Sequence, residues 1–374
     1  MSLLLFAGKV FASIMFLVTV FFAILSIISA YSDHLSPATY SAFPSYLAFA
    51  FPLFLVINMI LIIFWIFRKR WFFAIPLAAI LAGWPAVSAF FPVHLEQEVP
   101  ENAIKLLTYN VQHFELYASH KAEIGSPILH YILEQKADII CMQEYAFAYK
   151  NGKMQVHQEL KEVYPYYSSH DVINVNNVMY NGLAVFSTYP ILDAQRINYP
   201  SEHNGSVLVK VNVNGKILNI INNHLETNRI TEKDRAEYAT ILGDLDNRNK
   251  AKEKILRLAS IARNRLGVAF KIRAEQADSV ACVIDKLDGY IIACGDFNDP
   301  PNSYSHHRIK GDKLRDAFAD SGFGMSHTYN ENKFYFRIDH ILYSPNIKVF
   351  NCKVDNQVKY SDHYPMSCYF TFEK

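Results

Sequence analysis

The chain has 374 residues, enough for one large domain or two ordinary ones, and carries 36 Lys and Arg against 35 Asp and Glu, a net charge of +1. That balance argues against a protein that grips duplex DNA through a strongly basic face. The hydrophobic share of 51% is unevenly spread, because residues 1–92 are almost entirely apolar and the rest has the mixed composition of a water-soluble domain.

In chain order, three uncharged stretches come first: 10–30, 46–67 and 71–91. Each is about the ~20 residues that cross a bilayer as a helix. Two further stretches after the first argue against a cleaved signal peptide. Pro52, Pro76 and Pro85 are tolerated in spanning helices, where neighbours satisfy the freed carbonyls. Arg68-Lys69-Arg70 fills the tight hairpin between the second and third stretches, while the loop 31–45 has no Lys or Arg. The positive-inside rule therefore puts that hairpin and the N-terminus in the cytoplasm, and everything after Glu96 on the other face of an inner or plasma membrane. The expected organisation is a membrane anchor over 1–95, a polar linker over 96–103 and a soluble domain over 104–374.

Within that domain, Ile104–Val111 reads as a strand and Ser126–Ala137 as a helix capped by Ser126, with Pro127 at its first position. Asp138–Gln143 is a short buried strand ending at Glu144, a helix near Met154–Val163 stops at Pro165, and Gly182–Phe186 is another strand. Ser206–Val213 and Lys216–Asn223 flank Asn214-Gly215, a strong hairpin signal. The charged stretch 230–286 reads as a helical insertion, whether a lid, a membrane-contacting element or, as the plain interpretation, surface decoration. Tyr290–Gly295 returns to strand, Lys313–Asp320 to helix, and Phe334–Tyr343, Ile347–Val354 and Tyr364–Phe372 to strands. Hairpins and helices mix without strict βαβ alternation, which favours an α+β sandwich over a doubly wound sheet.

The five cysteines form no CxxC pair and no Cys/His cluster at zinc spacing, which argues against a structural zinc site. Cys141 and Cys294 sit in apolar runs and read as small buried hydrophobes. A bond between Cys352 and Cys368 is left open.

Acidic and amide residues recur at the ends of the apolar strands: Asn110, Glu144, Asp296 with Asn298, Asp339, and Asp362-His363. A charge at a strand end usually just meets solvent, but a set of them, each deliverable to one rim, suits a hard cation such as Mg²⁺ or Mn²⁺. A His beside a carboxylate is a natural base near neutral pH.

The segments Leu107-Thr108-Tyr109-Asn110-Val111, Gln143-Glu144, Asn223-His224-Leu225, Gly295-Asp296-Phe297-Asn298, Arg337-Ile338-Asp339-His340 and Ser361-Asp362-His363-Tyr364-Pro365 together resemble, in order, the endonuclease/exonuclease/phosphatase superfamily. The stretch from Gly182 to Ile191 is similar to its internal Gly-x-Ala…Pro-Ile strand. The resemblance covers about Ile104 to Phe372 and implies a four-layer αββα sandwich of the deoxyribonuclease I type. It implies Glu144 as principal metal ligand, with Asn110 and Asp362 completing or supporting the sphere. His363, oriented by Asp339, would act with Asp296 on the attacking water, and Asn298 and His224 would hold the phosphoryl oxygens. His113, His120, His306, His307 and His340 receive no role. The expected activity is a phosphodiesterase or phosphatase acting on a lipid head group or small organic phosphate. The alternatives are a tethered nuclease acting on extracytoplasmic DNA or RNA, and an inactive binding module.

Overall fold

The structure, a computed structural model, describes residues 2–115, 126–150, 153–154, 158–175, 179–229, 256–257, 259–260, 262–331 and 335–373. Helices α1 (Ser2–Ala30) and α2 (Phe43–Phe67) pack side by side and are both long and apolar enough to cross a membrane. Buried donors inside this pair are satisfied internally: Trp65 Nε1 donates to Thr19 Oγ1 at 2.8 Å, and Asn58 Nδ2 donates to the carbonyls of Phe54 and Phe22.

The stretch expected to be a third span consists of two helices, α3 (Ala74–Ala82) and α4 (Trp84–Phe90), bent by 68°, which together count as a broken span or a re-entrant loop. Gly83 and Pro85 explain the break, since proline has no amide to donate and its ring crowds the preceding turn. Gly83 lies level with the end of α1: a Cβ added there would sit 3.1 Å from Ala30 Cβ. Beyond the bend, α4 reaches the soluble part, where the Ala89 carbonyl accepts from Arg337. At the other end of the bundle, Lys9, Arg68 and Arg70 line a common recess. The expected linker is stitched down. His94 N donates to Gly322 O, and Gln97 exchanges two 2.8 Å hydrogen bonds with the Asn351 side chain.

The remaining elements are β1 (Ile104–Asn110), α5 (Pro127–Glu134), β2 (Ile139–Lys150), β3 (Lys153–Met154), α6 (Gln158–Val163), β4 (Tyr166–Val175), β5 (Met179–Ser187), β6 (Ile191–Arg196), β7 (Gly205–Val213) and β8 (Lys216–His224). They continue with α7 (Gly267–Ile284), β9 (Tyr290–Asp296), α8 (Tyr304–Lys310), β10 (Arg315–Asp316), α9 (Ala317–Ser321), β11 (Asp339–Tyr343), β12 (Ile347–Val354) and β13 (Met366–Phe372). One sheet runs β12-β13-β1-β2-β5-β4 with β3 on β2, the other β10-β11-β9-β8-β7-β6. Each has one parallel pair at its centre, β1 with β2 and β8 with β9.

Side-chain alternation builds the layers. Leu106, Ile139, Val185, Val209, Ile220 and Ile292 meet between the sheets, with Cys141 and Cys294 among them. The intervening residues Leu107, Ile140 and Met142 turn outward to Ile128 and Ile132 of α5, and Ile221 and Ile291 turn outward to Ala277, Val280 and Ile284 of α7. This is the expected four-layer sandwich. Cys352 and Cys368 are buried free thiols.

Several local readings shift. Helix α7 is a structural layer, with Ala269, Ala274, Ala277 and Ala281 buried, so 267–284 is not surface decoration; residues 230–255 lie outside the described residues. Ser126 stands at the N-cap of α5 but makes no capping bond. Met154 belongs to β3, and of the expected helix Gln158–Val163 is helical, residues 155–157 lying outside the described residues. Asp316 interrupts the expected helix 313–320, ending β10 and capping α9 through Phe318 N and Ala319 N. The strand expected from Phe334 begins only at Asp339.

Candidate active site

Strand register brings the predicted residues to one rim. In the second sheet His224 pairs with Asp296 across β8–β9, and Asp296 pairs with Asp339 across β9–β11, so these side chains stand in a row. In the first sheet Asn110 ends β1 opposite Gln143. Glu144 does not end a strand as expected. It sits inside β2 where the pairing with β5 shifts register between Met142 and Tyr145, with a φ of 50°. A bulge of this kind leaves one residue unpaired and re-aims its side chain, here into the gap between the sheets. Beneath it, Gln143 Nε2 donates to Asn222 Oδ1 at 2.7 Å, and Asn222 Nδ2 donates back to Met142 O, locking the two sheets together.

The distances are short. His363 Nδ1 lies 2.7 Å from Asp339 Oδ2, and its Nε2 lies 3.6 Å from Asp296 Oδ2. Asp339 is fixed in turn, because Thr328 Oγ1 accepts from both Ile338 N and Asp339 N. Asn110 Nδ2 bridges Asp296 and Glu144, donating at 3.2 and 3.3 Å. His224 Nε2 is 3.7 Å from Asp296 and 3.8 Å from Glu144, and this buried nitrogen has no hydrogen-bond partner. Asn298 N donates to Asp296 Oδ1 at 2.8 Å, and Asn298 Nδ2 donates to Leu225 O. Glu144, His224, Asp296, Asn298, Asp362 and His363 all line one cavity of about 450 Å³. Asn110 and Asp339 stand behind that lining.

Charge is crowded here. Burial raises the Glu144 carboxyl above its usual value, and Asp362 adds to the push. Burial likewise pushes Asp296 up to about 7, against the pull of His363. Burial opposes the charged form of His363, but Asp339 and Asp296 outweigh it and hold the imidazole well above its ordinary value. His224 is driven the other way, down to about 3, by burial and by the charge on His363. The two imidazoles are thus pushed in opposite directions, His363 toward higher and His224 toward lower proton affinity.

His113, given no role from sequence, lies with Nδ1 3.3 Å from Glu144 Oε2. It occupies a run of left-handed backbone, Gln112, His113 and Phe114 at φ 42°, 58° and 55°. Nothing in residue type marks such a run; only the fold turns it under Glu144. Tyr329 packs edge-on against His363 at 5.3 Å between ring centres.

The profile of the Endonuclease/Exonuclease/phosphatase family matches residues 107–363, from the middle of β1 to the His363 just described. The chain belongs to that family. A second profile, a domain of unknown function (DUF8431), matches residues 12–90. Solved structures similar to this chain include an endonuclease/exonuclease/phosphatase family protein from Leptotrichia buccalis C-1013-b, 15% identical, covering 72% of this chain and 100% of that one at a TM-score of 0.49. D. rerio TDP2 complexed with single strand DNA product is 15% identical, covering 72% and 100% at a TM-score of 0.48. The human Nocturnin catalytic domain with bound sulfate anion is 16% identical, covering 74% and 96% at 0.48. No curated protein matches. As a member of the endonuclease/exonuclease/phosphatase family, the chain is a phosphoester-hydrolysing enzyme.

Proposed function

We propose that this enzyme is a membrane-anchored, divalent-metal-dependent phosphodiesterase or phosphatase acting on a lipid head group or small organic phosphate. The observation that carries it is the Asp339–His363 pair at 2.7 Å, converging with Asp296, Asn110 and Glu144 on one cavity floor. Residues 1–95 serve as the anchor and 104–374 as the catalytic domain.

Glu144, with Asn110 and Asp362, would hold Mg²⁺ or Mn²⁺. Their oxygen donors suit a hard cation. The fit rests on the donor set: the carboxylates of Glu144 and Asp362 line the same cavity, close enough to repel one another, with the Asn110 side chain on Glu144. Asn110 turns its amide nitrogen to the carboxylates while its Oδ1 accepts from Gln112 N at 3.2 Å, so it would support the sphere by fixing Glu144. When bound, such an ion supplies positive charge to the phosphoryl oxygens and acidifies water. Asp339 accepts from His363 Nδ1, which leaves Nε2 facing Asp296 to take and hold a proton from the attacking water. The unpartnered His224 Nε2 and the Asn298 amide hold the phosphoryl oxygens as charge develops.

The gathering of Lys9, Arg68 and Arg70 at the bundle end away from the sandwich supports a non-cytoplasmic catalytic domain. The test is a screen of the full-length enzyme in detergent against a phospholipid, an inositol phosphate, an aryl phosphodiester and plasmid DNA. Activity on one of the first three is expected, requiring Mg²⁺ or Mn²⁺, abolished by EDTA and lost in Glu144→Ala. Full activity in EDTA overturns the metal assignment, and cleavage of plasmid DNA alone favours a nuclease.

A further inference from the structure

The cavity that holds the catalytic residues is completed by the membrane anchor. Its wall includes Tyr46 and Phe49, from the first two turns of α2, together with Phe270 of α7 and Phe336 before β11. These four rings touch in sequence. Tyr46 meets Phe270 edge-on at 5.1 Å, Phe49 lies 5.8 Å from Phe270, and Phe49 meets Phe336 edge-on at 4.9 Å. The fit between α2 and α7 is close, since a Cβ added at Gly267 would come within 2.7 Å of the Tyr46 hydroxyl.

One cavity therefore has two chemistries. Its floor is built of carboxylates, amides and imidazoles, and its wall of aromatic rings. A small hydrophilic ester would use the floor and leave the rings facing water, at a cost in apolar exposure. The position of the wall says where an apolar group would come from. Tyr46 and Phe49 head a 25-residue apolar helix whose far end carries Arg68-Lys69-Arg70, so the cavity lies where the bundle meets the sandwich. Exposed Tyr40, Phe43 and Val268 surround the same junction, at 74%, 58% and 40% exposure. That is the setting of aromatic residues at a bilayer interface.

We propose that Tyr46 and Phe49 are specificity-determining residues: they form the apolar wall that selects a membrane-resident phosphoester carrying an alkyl or acyl chain, so the anchor is part of the substrate site. This rests on the phosphoester-hydrolase reading above. The ester enters with its chain along the rings of α2 and its phosphoryl group on the floor at His224 and Asn298.

The test uses the full-length enzyme in lipid nanodiscs with Mg²⁺ or Mn²⁺, and two probes, methyl p-nitrophenyl phosphate and octyl p-nitrophenyl phosphate, read by p-nitrophenolate release. In the wild type, kcat/KM for the octyl ester exceeds that for the methyl ester by about tenfold or more. In Phe49→Ala and Tyr46→Ala that ratio collapses toward unity, chiefly through KM. Phe336→Ala, in the soluble part, gives the same collapse without touching a membrane helix, and a circular-dichroism melt verifies that each variant is folded. Leu53→Ala, on an exposed face of α2, keeps the wild-type ratio. Partition of the octyl ester into the bilayer is common to all variants, so the change in ratio reads the wall alone. An unchanged ratio in the folded wall variants, or no chain-length preference in the wild type, overturns the proposal. Hydrolysis of neither ester by the wild type overturns the phosphodiester reading first, and this inference with it.

Discussion

Removing Asp339 leaves His363 Nδ1 without its 2.7 Å acceptor, so the imidazole loses both its orientation and its raised proton affinity. Asp339→Ala and His363→Ala are each expected to lower kcat by on the order of a hundredfold or more. The double variant should fall little further, because the two act as one unit; losses that multiply would show the pairing to be irrelevant. A second single-residue prediction concerns Gly295, at φ 119°, where a Cβ would sit 2.1 Å from Asn223 O. Gly295→Ala should destabilise by about 3 kcal/mol or more. Gly215→Ala, in the open hairpin turn at φ 89°, should cost only on the order of 1 kcal/mol. Denaturant unfolding of both variants separates clash from backbone strain. At this scale the gathering of these residues at one rim was legible, because carboxylates and amides near strand ends are visible as letters, but the bulge that delivers Glu144 was not. His113 was not, since its place under Glu144 depends on three successive left-handed residues.

Among elements, the segment from α8 to β11 is held by a buried network. Arg337 donates to Asp316 at 3.2 Å, to His340 Nδ1 at 3.0 Å and to the Ala89 carbonyl of α4 at 2.9 Å, and His306 lies 3.2 Å from Asp316. Burial alone would raise the Asp316 carboxyl, but Arg337 and His306 outweigh it and hold it well below its ordinary value of 3.8. A depressed carboxyl contributes stability that is fully present above 3.8 and is lost as pH falls below it. Thermal melts should therefore show the wild type losing stability below about pH 4, with a flatter acid limb in Asp316→Asn. At neutral pH, Arg337→Met strands a buried carboxylate and should cost about 3–5 kcal/mol. The same segment is where strand and helix readings slipped. Asp316 caps α9 and so splits a run that looks helical by composition, and the backbone before Asp339 pairs elsewhere, Phe336 O with Thr328 N and Tyr329 N and Ile338 O with Phe297 N, rather than extending β11. The hairpin at Asn214-Gly215 was legible because its turn is local. The bend at Gly83 was not, since hydropathy counts apolar residues and ignores which way the helix points.

For the molecule as a whole, the proposed orientation rests on Lys9, Arg68 and Arg70 at one end of the bundle. A reporter fused after Lys374 is expected to be active as alkaline phosphatase and dark as a cytoplasmic fluorophore. The reverse pattern would place the catalytic domain inside and remove the outer leaflet as its source of substrate. The division into an apolar bundle and a mixed sandwich was plain in composition, whereas the contact between α2 and the catalytic cavity could not be, because it joins residues more than two hundred positions apart.

The order of strands in the first sheet carries one more consequence. Strand β13 lies between β12 and β1, so the strand that follows Asp362-His363 pairs directly with the one that ends in Asn110. A chain made from its N-terminus commits α1 and α2 to the bilayer long before it can lay β13 beside β1. Until then His363 has no Asp296 to face. The enzyme is therefore born inert, and its hydrolytic chemistry switches on only after its sandwich has closed.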